Sequence, residues 1–504
     1  MANTLTKSLC LLFCLCFTTA CIAQETGNEF RFWETSRGQR SDVRLKLMER
    51  QGKNVRLERE DNGKVISIAV QNLSDPDRQY LSSLRSKPTT TVSAPATSTA
   101  SASASDDITH FRSDHGSSKE TGLPTEWSDS QNVKWRKPLP GFGASTPIFI
   151  GDRIYVTCYS GYGLSAESPG DKENLLRHLV CLSRADGQMI WDKTVQPRQE
   201  QHNYQGFIAL HGFASSTPAS DGERVYCLFG NSGVYAFDAD TGEQLWDAEV
   251  GNGRGGFGTS GCLVVHDNVV IVNASSESGQ MMAFDTRTGE EVWRVGGVSE
   301  FYGAPLLVKS GNRTEAIIDS KEKLISVDAR TGESLWTSQG STPPHYVCNT
   351  PIVVDGVIIA VHGYHGPVSA LKPGGSGDVS NERLWTCKVG NTVNSLVHHN
   401  GLLFNFNEEQ GIMMYIDAKT GEMSQKKRVQ PRPGLIYASP LVAEDRIYVV
   451  SRENGTYVFS ADREMNLLTV NKFDSDDSIF NASPVAHRGD LFLRSDRFLY
   501  CIGK

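Results

Sequence analysis

The chain lacks a dominant charge of either sign. Fifty Lys and Arg stand against 58 Asp and Glu over 504 residues, a net charge of −8. That excludes nucleic-acid binding by electrostatics, which needs a basic surface to neutralise phosphates. Beyond the N-terminal leader no apolar run approaches the roughly 18 residues that span a bilayer, so no transmembrane segment is expected. Familiar catalytic signatures are missing too. There is no Gly-x-Ser-x-Gly, no phosphate-cradling Gly-rich loop with Lys, no His-Glu-x-x-His and no kinase set. Neither adjacent cysteines nor Cys-x-x-Cys-His occurs. What is present is ordinary globular composition, 38% hydrophobic and 21% charged, with glycine plentiful at 47 residues. A length prior of about 150 residues per domain suggests roughly three domains. A repeat array would lower that count, because it grows as one unit.

Lys7 precedes an apolar run from Leu9 to Phe17, and small residues follow to Ala23. A basic start, an apolar core and a small-residue exit describe a secretory signal peptide over 1–23. The chain is therefore expected to be exported, to a periplasmic or extracellular space. A second reading is lipid attachment at Cys21, although Thr18 stands where the usual Leu would be. Four of the eleven cysteines lie in this leader. The other seven mostly sit in strand-like apolar runs, as Cys158 and Cys227 do, and read as small buried hydrophobes.

Residues 30–85 carry 12 Lys and Arg against 8 Asp and Glu. Alternating stretches over 43–47, 55–57 and 65–68 are separated by the turn signals Gly52-Lys53 and Asp61-Asn62-Gly63, which reads as a small β-barrel with an Asn-Gly hairpin. Residues 86–107 are rich in Ser, Thr, Ala and Pro. They cannot bury a core and read as a tether.

Trp recurs at 135, 191, 246, 293, 336 and 385. Before most copies stands an Asp-x-x-Thr-Gly turn, at Asp238 to Gly242, Asp285 to Gly289 and Asp328 to Gly332, with a weaker copy at Asp417 to Gly421. A Ser/Thr-Pro phrase, or a variant of it, opens most units, for example at Thr146-Pro147, Thr217-Pro218, Thr350-Pro351, Ser439-Pro440 and Ser483-Pro484. Four short strands per 40–55 residues make one propeller blade, and the opening phrases and spacing give eight. The last unit lacks a fourth strand, which residues 132–135 are expected to supply, closing the ring. The six Trp read as blade staples, since large aromatics are mostly buried. The expected fold is all-β: an eight-bladed propeller over 108–504 preceded by the small barrel.

Two families are resembled. Arg31-x-Trp33, Gly52-Lys53, Asn62-Gly63-Lys64 and Leu73 to Leu81 resemble the type-one SLA-homology domain. That resemblance implies an SH3-like fold and peptide binding, with Trp33 as the candidate contact; core packing is the favoured reading of the same ring, since large aromatics are mostly buried. The Asp-x-x-Thr-Gly-x-x-x-Trp repeat resembles the PQQ-like propellers of quinoprotein dehydrogenases. The runs 121–127, 374–379, 437–440 and 493–496 are similar to PQQ-like propellers of planctomycetes. The same architecture occurs in the propeller lipoprotein of outer-membrane β-barrel assembly, a non-catalytic scaffold.

Loops on a rigid scaffold carry function, so the segments leading into the opening phrases hold the candidate binding residues. These are His202, Tyr204 and His211 in one loop and Arg254 in the Gly-rich stretch 251–257. Tyr302, His345, Tyr346 and Asn349 follow, then Asn394, Tyr437 and Asn481. His362, Tyr364 and His365 form a cluster that suits a metal, an anion or local hydrogen bonds; no catalytic residue and no metal ligand set is assigned. The reading is an exported scaffold or adaptor binding proteins or envelope components. The alternative is a divergent oxidoreductase using PQQ and calcium, for which the site motifs are missing.

Overall fold

The computed structural model describes residues 106–504 except 391, 392 and 408, and before them 32–33, 35, 41, 45–51, 54–59, 61–62, 64–74 and 77–78. The leader, Cys21 and nearly all of the 86–107 tether lie outside the described residues. The chain divides into two compact units, 1–101 and 102–504.

In the first unit, strands Leu45–Gln51, Asn54–Arg59 and Val65–Ala69 pair antiparallel in sequence order. Period-two alternation sends Val55 and Leu57 inward, where they are fully buried with Leu45 and Leu73. Trp33 joins them in this core, 2% exposed, and its indole N–H donates to the Leu45 carbonyl at 2.9 Å. Trp33 thus packs the interior, the favoured of its two readings, because a large ring gains most from burial in so small a core.

The second unit is a ring of eight four-stranded antiparallel meanders, two of them extended by a fifth strand. Where the opening phrase ends in Pro, the innermost strand of the blade begins at the next residue; examples are Ile148–Ile150, Leu306–Ser310 and Val485–His487. The ring closes as the sequence implies. Strand Val133–Pro138 pairs antiparallel with Phe498–Ile502, setting Trp135 beside Cys501, so blade 8 takes its outer strand from the other end of the unit. A closed ring leaves no inner sheet edge to pair with another chain.

The repeat phrase has a direct physical meaning. In each Thr-Gly turn the Asp carboxylate accepts backbone N–H groups; Asp238 takes those of Asp240 and Thr241 at 3.1 and 2.8 Å. The Gly that follows has positive φ, +68° at Gly242 and +72° at Gly289. The same glycines admit the Trp of the preceding blade. A Cβ on Gly187, Gly242, Gly289, Gly332 or Gly421 would meet the ring of Trp135, Trp191, Trp246, Trp293 or Trp385 within 3 Å. Most of these indoles also donate to a backbone carbonyl beside that turn, as Trp246 does to Thr286 at 2.9 Å. Blade 5 has no Thr-Gly turn. There the Gly374–Asp378 run replaces it: Gly375 lies against Trp336, and Gly377–Asp378 adds a parallel strand to blade 4.

A second device links blades near the axis. The amide of the residue before Pro, or its equivalent, donates to the hydroxyl of its counterpart in the next blade. Thr146 N–H reaches Thr217 Oγ1, Thr350 reaches Ser395, Ser395 reaches Ser439, Ser439 reaches Ser483, and Ser483 returns to Thr146, at 2.9–3.2 Å. Ala304 joins through Thr350 at 3.0 Å. The positions equivalent in blades 3 and 4 are Cys262 and Ala304, which bring no hydroxyl. The buried guanidinium of Arg494 seals the join between blades 8 and 1, donating to the carbonyls of Ser145 and Thr157 at 2.7 Å each.

The segment 107–118 crosses the turn-side end of the axis. Ile108 bridges to Phe149 and the Thr109 carbonyl accepts from Ser220, tying it to blades 1 and 2. Arg112 donates to Leu396 and Pro440 at 2.6 and 3.2 Å, and Ser117–Ser118 pairs parallel with Val442–Ala443, tying it to blades 6 and 7.

Candidate functional site

Antiparallel meanders place the loops leading into the inner strands, and those joining second to third strands, on one face. They converge there on a central cavity of about 400 Å³. Residue Phe111 of the crossing segment lines it from the opposite end, so the cavity is blind. Its wall is aromatic. Phe257 is the hub, with ring centroids 4.5 Å from Phe207, 4.8 Å from Tyr346 and 5.6 Å from Tyr302. Tyr346 stacks on Tyr364 at 5.1 Å, and Tyr364 continues to His365 and then His345. The hydroxyls of Thr146, Thr217, Ser439 and Ser483, part of the inter-blade belt, ring its base.

Of the sequence-derived candidates, His211, Tyr302, Tyr346, Tyr364, Tyr437 and Asn481 are brought together on this cavity. His345 and His365 extend the ladder beyond it. His202 and Arg254 instead line a neighbouring crevice beneath the Gly-rich loop, with Arg254 3.1 Å from Glu200. Tyr204 packs on Phe213 at 6.1 Å, and its amide is held by the Tyr162 hydroxyl. Asn349 and Asn394 are buried: Asn349 donates to the Asn394 carbonyl at 2.6 Å, and Asn394 to Phe406 and Ile436. Through these bonds the two asparagines link neighbouring blades.

His362 departs furthest from its expected role. It is 1% exposed, its Nε2 meets the Ser369 hydroxyl, and its Nδ1 lies 3.5 Å from a carboxylate oxygen of fully buried Asp319. Ser, His and Asp in this order imitate a hydrolase triad. Here all three are sealed between blades 4 and 5, away from the cavity, so no substrate carbonyl can approach the hydroxyl. Burial holds the Asp319 carboxyl above its usual range.

Burial also sets the electrostatics near the cavity. His211 is held below its ordinary value by desolvation, and both its ring nitrogens are engaged, by Ser215 and by the Phe257 carbonyl. Glu277, under the Gly-rich loop, is pushed up to about 7 by desolvation, against a hydrogen bond from Thr259. Arg177 beside it is pushed down to about 10 by burial. Among the described residues no group of three or more His, Cys, Asp or Glu is placed to hold a metal ion. Sequence reading missed Phe111, Phe257 and Glu409 on the cavity and the hydroxyl belt around it. The recurring hydroxyl before Pro was the available signal for the belt.

The family described as outer membrane protein assembly factor BamB matches residues 176–427. A curated relative, the outer membrane protein assembly factor BamB of Moranella endobia, is 25% identical over 285 residues, covering 52% of this chain and 68% of that protein. Among solved structures, BamB from Moraxella catarrhalis superposes with a TM-score of 0.52 at 13% identity, over 73% of this chain and 98% of the other. Quinohemoprotein alcohol dehydrogenase from Comamonas testosteroni gives 0.53 at 12% identity, over 74% and 76%. At such identities the two structural likenesses speak for the propeller fold alone.

Proposed function

We propose, on the premise that the chain belongs to the family described as outer membrane protein assembly factor BamB, that it is an exported propeller scaffold holding protein partners on the loops of its open face. The family match, which runs from the third strand of blade 1 to the outer strand of blade 6, is the observation that carries this reading. The open-face loops supply a surface of suitable chemistry. Phe207 is 55% exposed there and stands near Arg254, and aromatic and Arg side chains are the common anchors of protein interfaces. Export through the 1–23 leader, or anchoring at Cys21, puts this scaffold in the periplasm or outside the cell. No helix among the described residues is long and apolar enough to cross a membrane. The unit at 30–85 serves as a second protein-binding module of the SLA-homology kind, using a surface other than Trp33.

The competing oxidoreductase reading requires PQQ and calcium, and the residues present do not fit them. PQQ carries three carboxylates and calls for cationic partners. Among the described residues lining the cavity there is no Lys or Arg, and Glu409 is the one formally charged side chain. Calcium calls for several oxygen ligands including carboxylates, and no such set converges there. Titration of the purified chain with PQQ and calcium is expected to give no saturable binding and no dye-linked oxidation. Stoichiometric binding accompanied by alcohol or sugar oxidation would overturn the scaffold reading.

A further inference from the structure

We propose that the blind central cavity binds a small organic cation, a quaternary or alkylated ammonium, held against aromatic rings beneath one carboxylate. The inference goes beyond the scaffold reading and does not depend on it. Its first support is shape. A cavity of about 400 Å³ that is closed at one end by the crossing segment has the size of a small-molecule site. Its second is the arrangement of the rings. Phe207, Tyr346 and Tyr302 meet Phe257 at 52°, 45° and 76°. Rings set at such angles make a concave corner and not a flat stack, and several π faces can then surround one charge.

Charge is the third support. Glu409 is exposed, lines the cavity, and has no ion pair among the described residues. His211 adds no positive charge at neutral pH, because burial lowers its proton affinity and both nitrogens are already engaged. Two guanidinium groups stand near: Arg432 donates to the backbone carbonyl of Glu409 and has no ion pair with its carboxylate among the described residues, and Arg452 is turned into the wall. Arg452 donates to the Leu210 carbonyl and to Asn481, and sits 5.1 Å over the ring of Tyr437. Asp496, also near Arg452, partly offsets its charge. The cavity wall therefore already supports one cation on an aromatic face. An anion would meet Glu409 and the negative faces of the rings. A neutral ligand would gain burial alone, without the ring–charge attraction.

The test uses the full chain and two soluble probes of equal shape, acetylcholine and its neutral carbon isostere 3,3-dimethylbutyl acetate. Calorimetric titration is expected to show one acetylcholine per chain, with the neutral ester at least about 10-fold weaker. Tyr346→Leu keeps an apolar side chain but removes the ring, and Glu409→Gln removes the charge at an exposed position. Each is expected to weaken acetylcholine binding by about 3- to 30-fold; Glu409→Gln leaves the melting temperature unchanged, and Tyr346→Leu, which loses two ring contacts, still unfolds in one cooperative transition. Equal affinity for the two esters would overturn the proposal. So would saturation by neither at about 10 mM, or acetylcholine binding unchanged in both variants.

Discussion

At the scale of the residue, the glycines of the repeat are constrained twice. Gly289 needs positive φ for its turn, and its missing Cβ leaves room for the ring of Trp246 at 2.7 Å. Conformational freedom alone would tolerate Asn there; the stacked ring does not. Gly289→Ala should therefore lower stability by about 1–3 kcal/mol, measured by chemical denaturation. Arg494 offers a sharper case. Arg494→Met keeps most of the volume but leaves the Ser145 carbonyl without its buried donor and the Thr157 carbonyl with only the Ser145 hydroxyl at 3.3 Å. A loss of about 2–4 kcal/mol is expected. Glu277 predicts a pH dependence. Its folded-state value near 7 lies above the ordinary 4.5, so the folded chain retains a proton that the unfolded chain releases between those values. Stability from this group is full below about 4.5 and falls as pH rises toward 7. Glu277→Gln should raise the melting temperature at pH 8, with a smaller gain at pH 5. An equal effect at both would show that the buried carboxyl does not titrate in this window.

At the scale of the element, the blades were legible because each repeats a phrase whose residues have local jobs: Asp accepts amides, Gly turns the chain, Trp covers the next turn. The closing strand was legible for the same reason, since Trp135 ends a stretch resembling the other outer strands. The cavity was only half legible. Tyr302, Tyr346 and Tyr437 precede opening phrases and so could be placed near the axis. Phe257 stands in an irregular Gly-rich loop, and Phe111 in a segment before the first blade, where no repeat gives a register. Asn349 and Asn394 look like ligand groups in sequence, because sequence does not show which side-chain N–H groups donate between blades. The run at Gly374–Asp378 is a further lesson. It replaces a lost turn by covering Trp336, something visible only when the two are seen together. A chain beginning at residue 139 would lack both the crossing segment and the outer strand of blade 8. Its melting temperature should drop by at least about 10 °C. An unchanged value would mean that the ring does not depend on this closure.

At the scale of the whole molecule, two folded units stand where length alone suggested three domains, because eight blades make one ring. The ring presents a loop-rich face around a blind aromatic cavity, and its most enzyme-like constellation, Ser369–His362–Asp319, is sealed from substrate. The central claim is that this face binds protein, and capture from an envelope fraction tests it most directly. The intact chain is compared with the double variant Phe207→Ser, Arg254→Glu, which alters two side chains on the open face. A partner retained by the intact chain and lost by an equally stable variant is the result expected. The same partner held equally by both, or none held by either, would contradict it.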